Sequence, residues 1–128
     1  MLKKILVVDD DKGWRDIFLH YLQIAGYEVV VEMNAEEALK DLQQGEFSLL
    51  LTDFNLGYLE TDGVELAKKV RELFPLMPVI LVSSRHDIKK IAQQNGFTDY
   101  HEKSIPFRLL IEKVDKILSS SDAQTSVP

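Results

Sequence analysis

The chain has no cysteine among its 128 residues. Disulfide bonds, metal sites with thiolate ligands and cysteine nucleophiles are therefore excluded. Nowhere does an apolar run approach the roughly 20 residues that a membrane-spanning helix needs. The apolar stretch nearest the amino terminus, residues 5–8, is short and leads into three aspartates, which is not the pattern of a signal peptide. The absence of cysteine is compatible with a reducing compartment, and we expect a cytoplasmic protein.

Runs of positive charge are also missing. Fifteen lysines and arginines stand against 21 acidic residues, so the net charge at pH 7 is −6. This balance argues against nucleic acid or an anionic membrane as the main partner. The length is that of one domain, and a hydrophobic content of 45% is sufficient for an ordinary core.

Short apolar runs alternate five times with segments of helical periodicity. The runs that we assign to strands are residues 5–8, 27–31, 47–52, 78–82 and 97–100. The segments that we assign to helices are residues 14–25, 35–42, 64–74, 88–92 and 107–118. This order predicts an α/β protein with a doubly wound, five-stranded parallel sheet. Residues 119–128 are rich in serine and threonine and are predicted to be a disordered tail or the start of a linker.

Reactive side chains stand directly after four of the five strands. They are Asp9, Asp10 and Asp11 after the first strand, Asp53 after the third, Ser83 and Ser84 after the fourth, and Tyr100 and Lys103 at the fifth. The carboxyl ends of parallel strands lie along one edge of the sheet, where ligands of α/β proteins bind. The sequence therefore predicts a single site at this edge.

The carboxylates of this site need a cation. Three clustered carboxylates repel and desolvate one another. Oxygen ligands of this kind suit Mg²⁺, and one Mg²⁺ with Lys103 would neutralise Asp9, Asp10 and Asp53. Such a site could receive a phosphoryl group on one carboxylate, while the metal and the lysine hold the equatorial oxygens.

Four segments carry a resemblance to a known family. They are residues 5–10 (Ile-Leu-Val-Val-Asp-Asp), 51–53 (Leu-Thr-Asp), 78–84 (Pro-Val-Ile-Leu-Val-Ser-Ser) and 99–103 (Asp-Tyr-His-Glu-Lys). In this order they resemble the receiver domain of two-component response regulators, over residues 3 to about 118. The resemblance implies a flavodoxin-like (βα)5 fold with strand order 2-1-3-4-5 in a receiver domain of residues 1–118.

The resemblance also implies a function. A receiver accepts a phosphoryl group from a histidine kinase or a histidine phosphotransfer protein, and it signals by docking to a downstream protein in a phosphorylation-dependent way. It is a phosphoacceptor that assists its own phosphorylation and dephosphorylation rather than an enzyme with a separate substrate. Phosphorylation-dependent dimerisation is compatible with this scheme.

The same resemblance implies a metal site. Asp53 resembles the phosphoacceptor, which also contacts the metal. Asp10 is expected to contact Mg²⁺ directly and Asp9 through water, and Mn²⁺ could substitute for Mg²⁺. Asn55 would contribute its backbone carbonyl oxygen.

Three further residues resemble those that bind and report the phosphoryl group. Ser83 resembles the hydroxyl that hydrogen-bonds it, and Lys103 the lysine that forms an ion pair with it. Tyr100 resembles the aromatic switch residue that turns inward when Ser83 moves, which rearranges the surface where partners dock. Their structural alternatives are a local backbone hydrogen bond for Ser83, a core position for Tyr100 and a solvated loop position for Lys103.

Two features depart from the family pattern. The loop after Asp53, residues 53–63, is two residues longer than usual and lacks the usual proline. Ser104 follows Lys103, where the family usually has a proline with a cis peptide bond. A cis bond before a residue other than proline costs about 3 kcal/mol, so we expect a trans bond here.

Other polar and aromatic residues are expected to have structural roles. Asp11 is expected to cap the first helix or to be solvated. His20, His86 and His101 have no metal-ligand spacing and are expected at the surface. Trp14 is expected to pack over the first helix.

Two other functions are compatible with parts of the pattern. The altered loop and turn could make the chain a binding module that is not phosphorylated. Alternatively, Asp9, Asp11 and Gly13 loosely resemble the nucleophile motif of haloacid-dehalogenase-type phosphatases. That family needs an acidic pair after the fourth strand, where this chain has Ser83 and Ser84. A flavodoxin is excluded in practice, because three carboxylates would repel the flavin phosphate.

Overall fold

Strands and helices alternate along the whole described chain. A computed structural model describes residues 2–57 and 62–126, with side chains described through residue 119. The elements are β1 (Lys4–Val8), α1 (Lys12–Ile24), β2 (Glu28–Glu32), α2 (Ala35–Gln44), β3 (Leu49–Thr52), α3 (Asp62–Leu73), β4 (Val79–Ser83), α4 (Ile88–Gln94), β5 (Asp99–Glu102) and α5 (Phe107–Ser126).

The strands form one parallel sheet in the order β2-β1-β3-β4-β5. Every residue of β3 and β4 is buried. These inner strands read as unbroken apolar runs because helices cover both of their faces. The predicted fold class and strand order are therefore confirmed.

The core consists of layers on the two faces of the sheet. Ile5 and Val7 of β1 face a cluster with α1 and α5, and Leu6 and Val8 face the opposite cluster with α2 and α3. A smaller cluster joins Leu81 of β4 to α4 and the start of α3. Burial on both faces holds the strand ends in fixed relative positions.

The position of β5 was predicted wrongly. The apolar pattern indicated residues 97–100, but the strand is Asp99–Glu102. Phe97 packs into the core from the turn after Gly96, and the backbone N–H of Thr98 donates to the carbonyl oxygen of Val79 at 2.8 Å. Because β5 is the last strand of the sheet, polar residues can occupy it, and its hydrophobic pattern is weak.

His101 is the second correction. His20 and His86 are exposed, as expected, but His101 is only 2% exposed. It pairs with Val82 in the sheet, and Val82 belongs to the cluster that α1 and α5 cover. The charged neighbours of His101 obscured this register in the sequence.

The last helix continues past the predicted end of the domain. α5 remains helical to Ser126, within the segment that we predicted to be a tail or linker. Serine and threonine are weak helix formers, so composition gave no sign of this. Residues 127–128 lie outside the described part, and the division of the chain at residue 118 stays a prediction. Within residues 2–57 and 62–126, no helix combines the length and the apolar character that a membrane span requires.

The start of α3 packs directly against the backbone after β3, and this contact requires glycine. A Cβ atom on Gly63 would lie 1.9 Å from the carbonyl oxygen of Asp53. We therefore expect Gly63→Ala to lower the free energy of unfolding by about 3 kcal/mol, since backbone must move to relieve the clash. Gly45→Ala is the matched control, because a Cβ there meets only ordinary contacts, the nearest at 3.5 Å. Urea denaturation measures both, and equal stability of the two variants would contradict the close packing.

Candidate functional site

Three carboxylates meet at the carboxyl edge of the sheet. Asp9 follows β1 and Asp53 follows β3, and these strands are neighbours whose last residues, Val8 and Thr52, are paired. Carboxylate oxygens of Asp9, Asp10 and Asp53 lie within 4.8 Å of one another. Asp9 is buried, Asp53 is half-buried and Asp10 is exposed. The structure thus brings the predicted acidic residues together.

Lys103, the residue that follows β5, completes the cluster. Its Nζ lies 2.8 Å from Oδ2 of Asp53 and 2.9 Å from Oδ2 of Asp9. Its side chain is 9% exposed, so the structural alternative of a solvated loop lysine does not hold. Burial by itself lowers the pKa of the Lys103 ammonium, but its hydrogen bond to Asp53 and the negative charges of Asp53 and Asp9 outweigh burial and raise that pKa overall.

Asp9 is the most deeply buried of the three carboxylates. Burial raises the pKa of its carboxyl above the ordinary value, against the opposing effects of the Asp11 amide and of Lys103. Its Oδ1 accepts a hydrogen bond from the backbone N–H of Asp11 at 3.0 Å. Its Oδ2 has only the ion pair with Lys103 and accepts no directed hydrogen bond.

These features fit a divalent cation. The buried Oδ2 of Asp9 meets the Lys103 ammonium but receives no well-aligned hydrogen bond, so it can also serve as a ligand, and two more carboxylates lie beside it. With Lys103 alone, the charged cluster retains two negative charges. Oxygen ligands of this kind suit Mg²⁺, which would bring the sum to zero.

The loop after β3 turns sharply at its first residues. Oδ1 of Asp53 accepts a hydrogen bond from the backbone N–H of Phe54 at 2.7 Å, and Oδ1 of Asn55 accepts one from Gly57 at 2.9 Å. Gly57 has φ +101°, and a Cβ there would lie 3.6 Å from Oδ2 of Asp10. The loop therefore packs beside the carboxylates. Residues 58–61 of this loop lie outside the described residues.

Ser83 and Tyr100 lie on the β4–β5 side of the site. Ser83 is 3% exposed, and its Oγ accepts a hydrogen bond from the backbone N–H of Arg85 at 3.2 Å. Tyr100 is half-buried, with its ring packed on the α4 cluster. Lys113 of α5 lies 4.9 Å from the centre of this ring and donates to the Tyr100 carbonyl oxygen.

The first turn of α1 also contributes to the site, which the sequence did not reveal. Asp11 caps the helix as expected, because its side chain accepts from the backbone N–H of Gly13 and Trp14. Trp14 packs on the α1 side of the core, and its ring centre lies 4.9 Å from Nζ of Lys103. Arg15 donates to the Asp9 carbonyl oxygen at 2.9 Å. A helix that begins directly after the β1 aspartates is the signal that could have indicated such contacts.

Comparison with known proteins agrees with this geometry. The model of the response regulator receiver domain family matches residues 5–115. The response regulator receiver protein CpdR of Brucella abortus is 32% identical over 119 residues, which cover 91% of this chain and 98% of CpdR. The transcriptional regulatory protein PhoP of Bacillus subtilis, named for alkaline phosphatase synthesis, is 31% identical over 124 residues, but the match covers only 51% of PhoP.

Solved structures show the same fold. The response regulator TrrA of Thermotoga maritima, solved in complex with Mg²⁺-BeF, has a TM-score of 0.83 and 32% identity, and the match covers 91% of this chain and 99% of that one. A CheY-like receiver domain protein of Methanospirillum hungatei has a TM-score of 0.87 and 31% identity, over 97% and 99% of the two chains. The chain belongs to the response regulator receiver domain family.

Proposed function

We propose that Asp53 is the phosphoacceptor of this receiver domain. The observation that carries the proposal is the contact of its carboxylate with Lys103 at 2.8 Å within the acidic cluster. The Asp53 side chain is 13% exposed, whereas that of Asp9 is 1% exposed, so a donor can reach Asp53 more readily. The donor would be the phosphohistidine of a histidine kinase or of a histidine phosphotransfer protein.

The transfer exchanges one phosphorus bond for another. A carboxylate oxygen of Asp53 attacks the phosphorus, and the bond from phosphorus to the donor histidine nitrogen breaks. The Lys103 ammonium is close enough to offset the charge of the arriving phosphoryl oxygens. The Ser83 hydroxyl uses a lone pair toward Arg85, so its proton can be donated to the phosphoryl group.

The residues that would hold the cation are Asp9, Asp10, Asp53 and the backbone carbonyl of Asn55. A bound Mg²⁺ would supply positive charge between the carboxylates and the phosphoryl oxygens. Mn²⁺ has the same preference for oxygen ligands and could take its place. The chain's own contribution is to keep these oxygens together at the edge of a rigid sheet.

Ser83 and Tyr100 would transmit the effect of phosphorylation to the surface. Tyr100 lies between the α4 cluster and Lys113 of α5, so a change in its position would change its contacts with both helices. The surface of α4, β5 and α5 would then bind a downstream protein or a second copy of the domain. The protein would act in the cytoplasm, by docking rather than by turnover of a separate substrate.

Phosphorylation of Asp53 is the direct test of this proposal. With Mg²⁺ and a small phosphodonor such as acetyl phosphate, intact-mass spectrometry should show the addition of one phosphoryl group. Asp53→Asn should abolish it, because an amide oxygen is a poor nucleophile.

Two results would count against the assignment. A wild-type protein that gains no mass would favour a binding module without phosphorylation. A phosphoryl group mapped to Asp9 would favour the phosphatase-like alternative.

Mg²⁺ should stabilise the folded protein, because the cation binds the assembled cluster and not the unfolded chain. At a concentration tenfold above its dissociation constant, the gain is about 1.4 kcal/mol, or roughly 5 °C in melting temperature. Asp10→Ala should remove most of this gain. Glu46→Ala, which removes an exposed carboxylate before β3 at the opposite edge of the sheet, should keep it. An unchanged wild-type melting temperature in millimolar Mg²⁺ would show that the cluster is not a metal site.

The Mg²⁺ effect should shrink in acid. Because the pKa of Asp9 is raised in the metal-free fold, a proton displaces the cation at a higher pH than from an ordinary carboxyl. In the metal-free protein, lower pH should instead increase the free energy of unfolding. The raised pKa means that the Asp9 carboxylate destabilises the fold above that pKa, and this effect is lost as pH falls through it. Melting curves over a descending pH series from pH 7, with and without Mg²⁺, measure both effects. A Mg²⁺ gain that does not fall at any pH at which the protein remains folded would show that Asp9 does not help to hold the cation.

A further inference from the structure

The turn between β5 and α5 determines where Lys103 points. The backbone N–H of Lys103 donates to the Ser83 carbonyl oxygen at 2.9 Å, which extends the β4–β5 pairing beyond the end of the strand. The N–H of Ile105 donates to the Glu102 carbonyl oxygen at 3.0 Å. The Lys103–Ser104 peptide bond is trans, as expected. Without a proline ring after Lys103, hydrogen bonds must hold this turn.

A buried histidine supplies one of these bonds. His101 lies two residues before Lys103, and both face the α1 side of the sheet: His101 pairs with Val82 of the cluster that Trp14 packs against, and Nζ of Lys103 lies 4.9 Å from the Trp14 ring centre. Its Nε2 is 3.3 Å from the Ile105 carbonyl oxygen, which can only accept, so Nε2 carries the hydrogen. This bond joins the strand to the far side of the turn and encloses Lys103 between its two ends.

The protonation state of His101 agrees with this contact. Burial lowers the pKa of the imidazole, and the positive charge of Lys113 acts in the same direction. The backbone bond to Ile105 and the charges of Asp99 and Glu102 oppose burial without cancelling it. Nδ1 is buried and has no hydrogen-bond partner, as a bare ring nitrogen of the neutral form.

Packing alone does not account for a histidine at this position. The neighbouring cluster is built of apolar residues such as Val82, Leu110 and Val114. A buried nitrogen without a partner costs about 1–3 kcal/mol, and one neutral hydrogen bond contributes only about 1 kcal/mol. An aliphatic side chain would therefore suit the core better, and the histidine is explained by what its Nε2 holds.

We propose that His101 is a positioning residue, whose hydrogen bond to Ile105 fixes the turn that aims Lys103 at Asp53. Its consequence for phosphorylation rests on the proposed function of Asp53. Its consequence for the position of Lys103 does not, and the two can be measured separately.

Three substitutions separate the hydrogen bond from packing. His101→Gln retains an amide nitrogen near the place of Nε2 and can donate to Ile105. His101→Asn is too short to reach it, and His101→Leu fills the space without a donor. Each variant is studied well below its own melting temperature, where nearly all of the protein is folded.

The first readout compares phosphorylation with metal binding. We expect His101→Leu and His101→Asn to slow phosphorylation by acetyl phosphate roughly tenfold or more, because a displaced Lys103 no longer offsets the phosphoryl charge. Their affinity for Mg²⁺ should be unchanged or tighter, since Lys103 competes with the cation for Asp9 and Asp53. His101→Gln should remain near the wild-type rate. In a Lys103→Gln background, His101→Leu should have no further effect on the rate.

The second readout is the NMR signal of the Lys103 ammonium, which does not depend on phosphorylation. It should be that of a paired, protected ammonium in the wild type and in His101→Gln, and should move toward that of a solvated lysine in His101→Leu. If the wild type is not phosphorylated, this signal alone decides the role of His101, and only the proposed function fails. If His101→Leu lowers stability but keeps both the Lys103 signal and the phosphorylation rate, His101 is a packing residue and the proposal is overturned.

Discussion

The repulsion among three carboxylates at one edge of the sheet is the constraint on which the site depends. At separations of 4–5 Å, two like charges repel by about 3–4 kcal/mol at an effective dielectric constant near 20. Burial of Asp9 adds to this cost, since it raises the pKa of that carboxyl against the opposing effect of Lys103. The fold therefore keeps an unfavourable cluster that a divalent cation would relieve.

The rigidity of the sheet makes this cluster possible. Asp9 and Asp53 follow the paired last residues of adjacent strands that are buried on both faces. The backbones that carry these two carboxylates cannot move apart without disrupting the core. Lys103 is held less directly, since it lies in a turn beyond the edge strand and its position depends on local hydrogen bonds. The acidic cluster and Lys103 thus differ in what positions them, and for that reason they can be perturbed separately.

Much of this arrangement follows from the sequence, because continuous apolar strands imply a parallel sheet and the residues after them share an edge. The grouping of Asp53 with the other aspartates needed no more than that rule. What could not be predicted depends on contacts between distant segments. The burial of His101 follows from its pairing with Val82, which the weak pattern of an edge strand does not reveal. The close approach of Gly63 to the backbone of Asp53 is visible only once α3 is packed on the sheet.

Asp53, the cation and Lys103 would together form one phosphoryl-binding site. Beryllofluoride mimics a phosphoryl group on a carboxylate, and its binding can be followed by ¹⁹F NMR and by the backbone amide signals of Ser83, Tyr100 and Lys103. We predict one bound beryllofluoride per chain that requires both Mg²⁺ and the carboxylate of Asp53, with shifts at all three amides. Binding that persists in Asp53→Asn, or that does not require Mg²⁺, would show that the three groups do not form one phosphoryl-binding site.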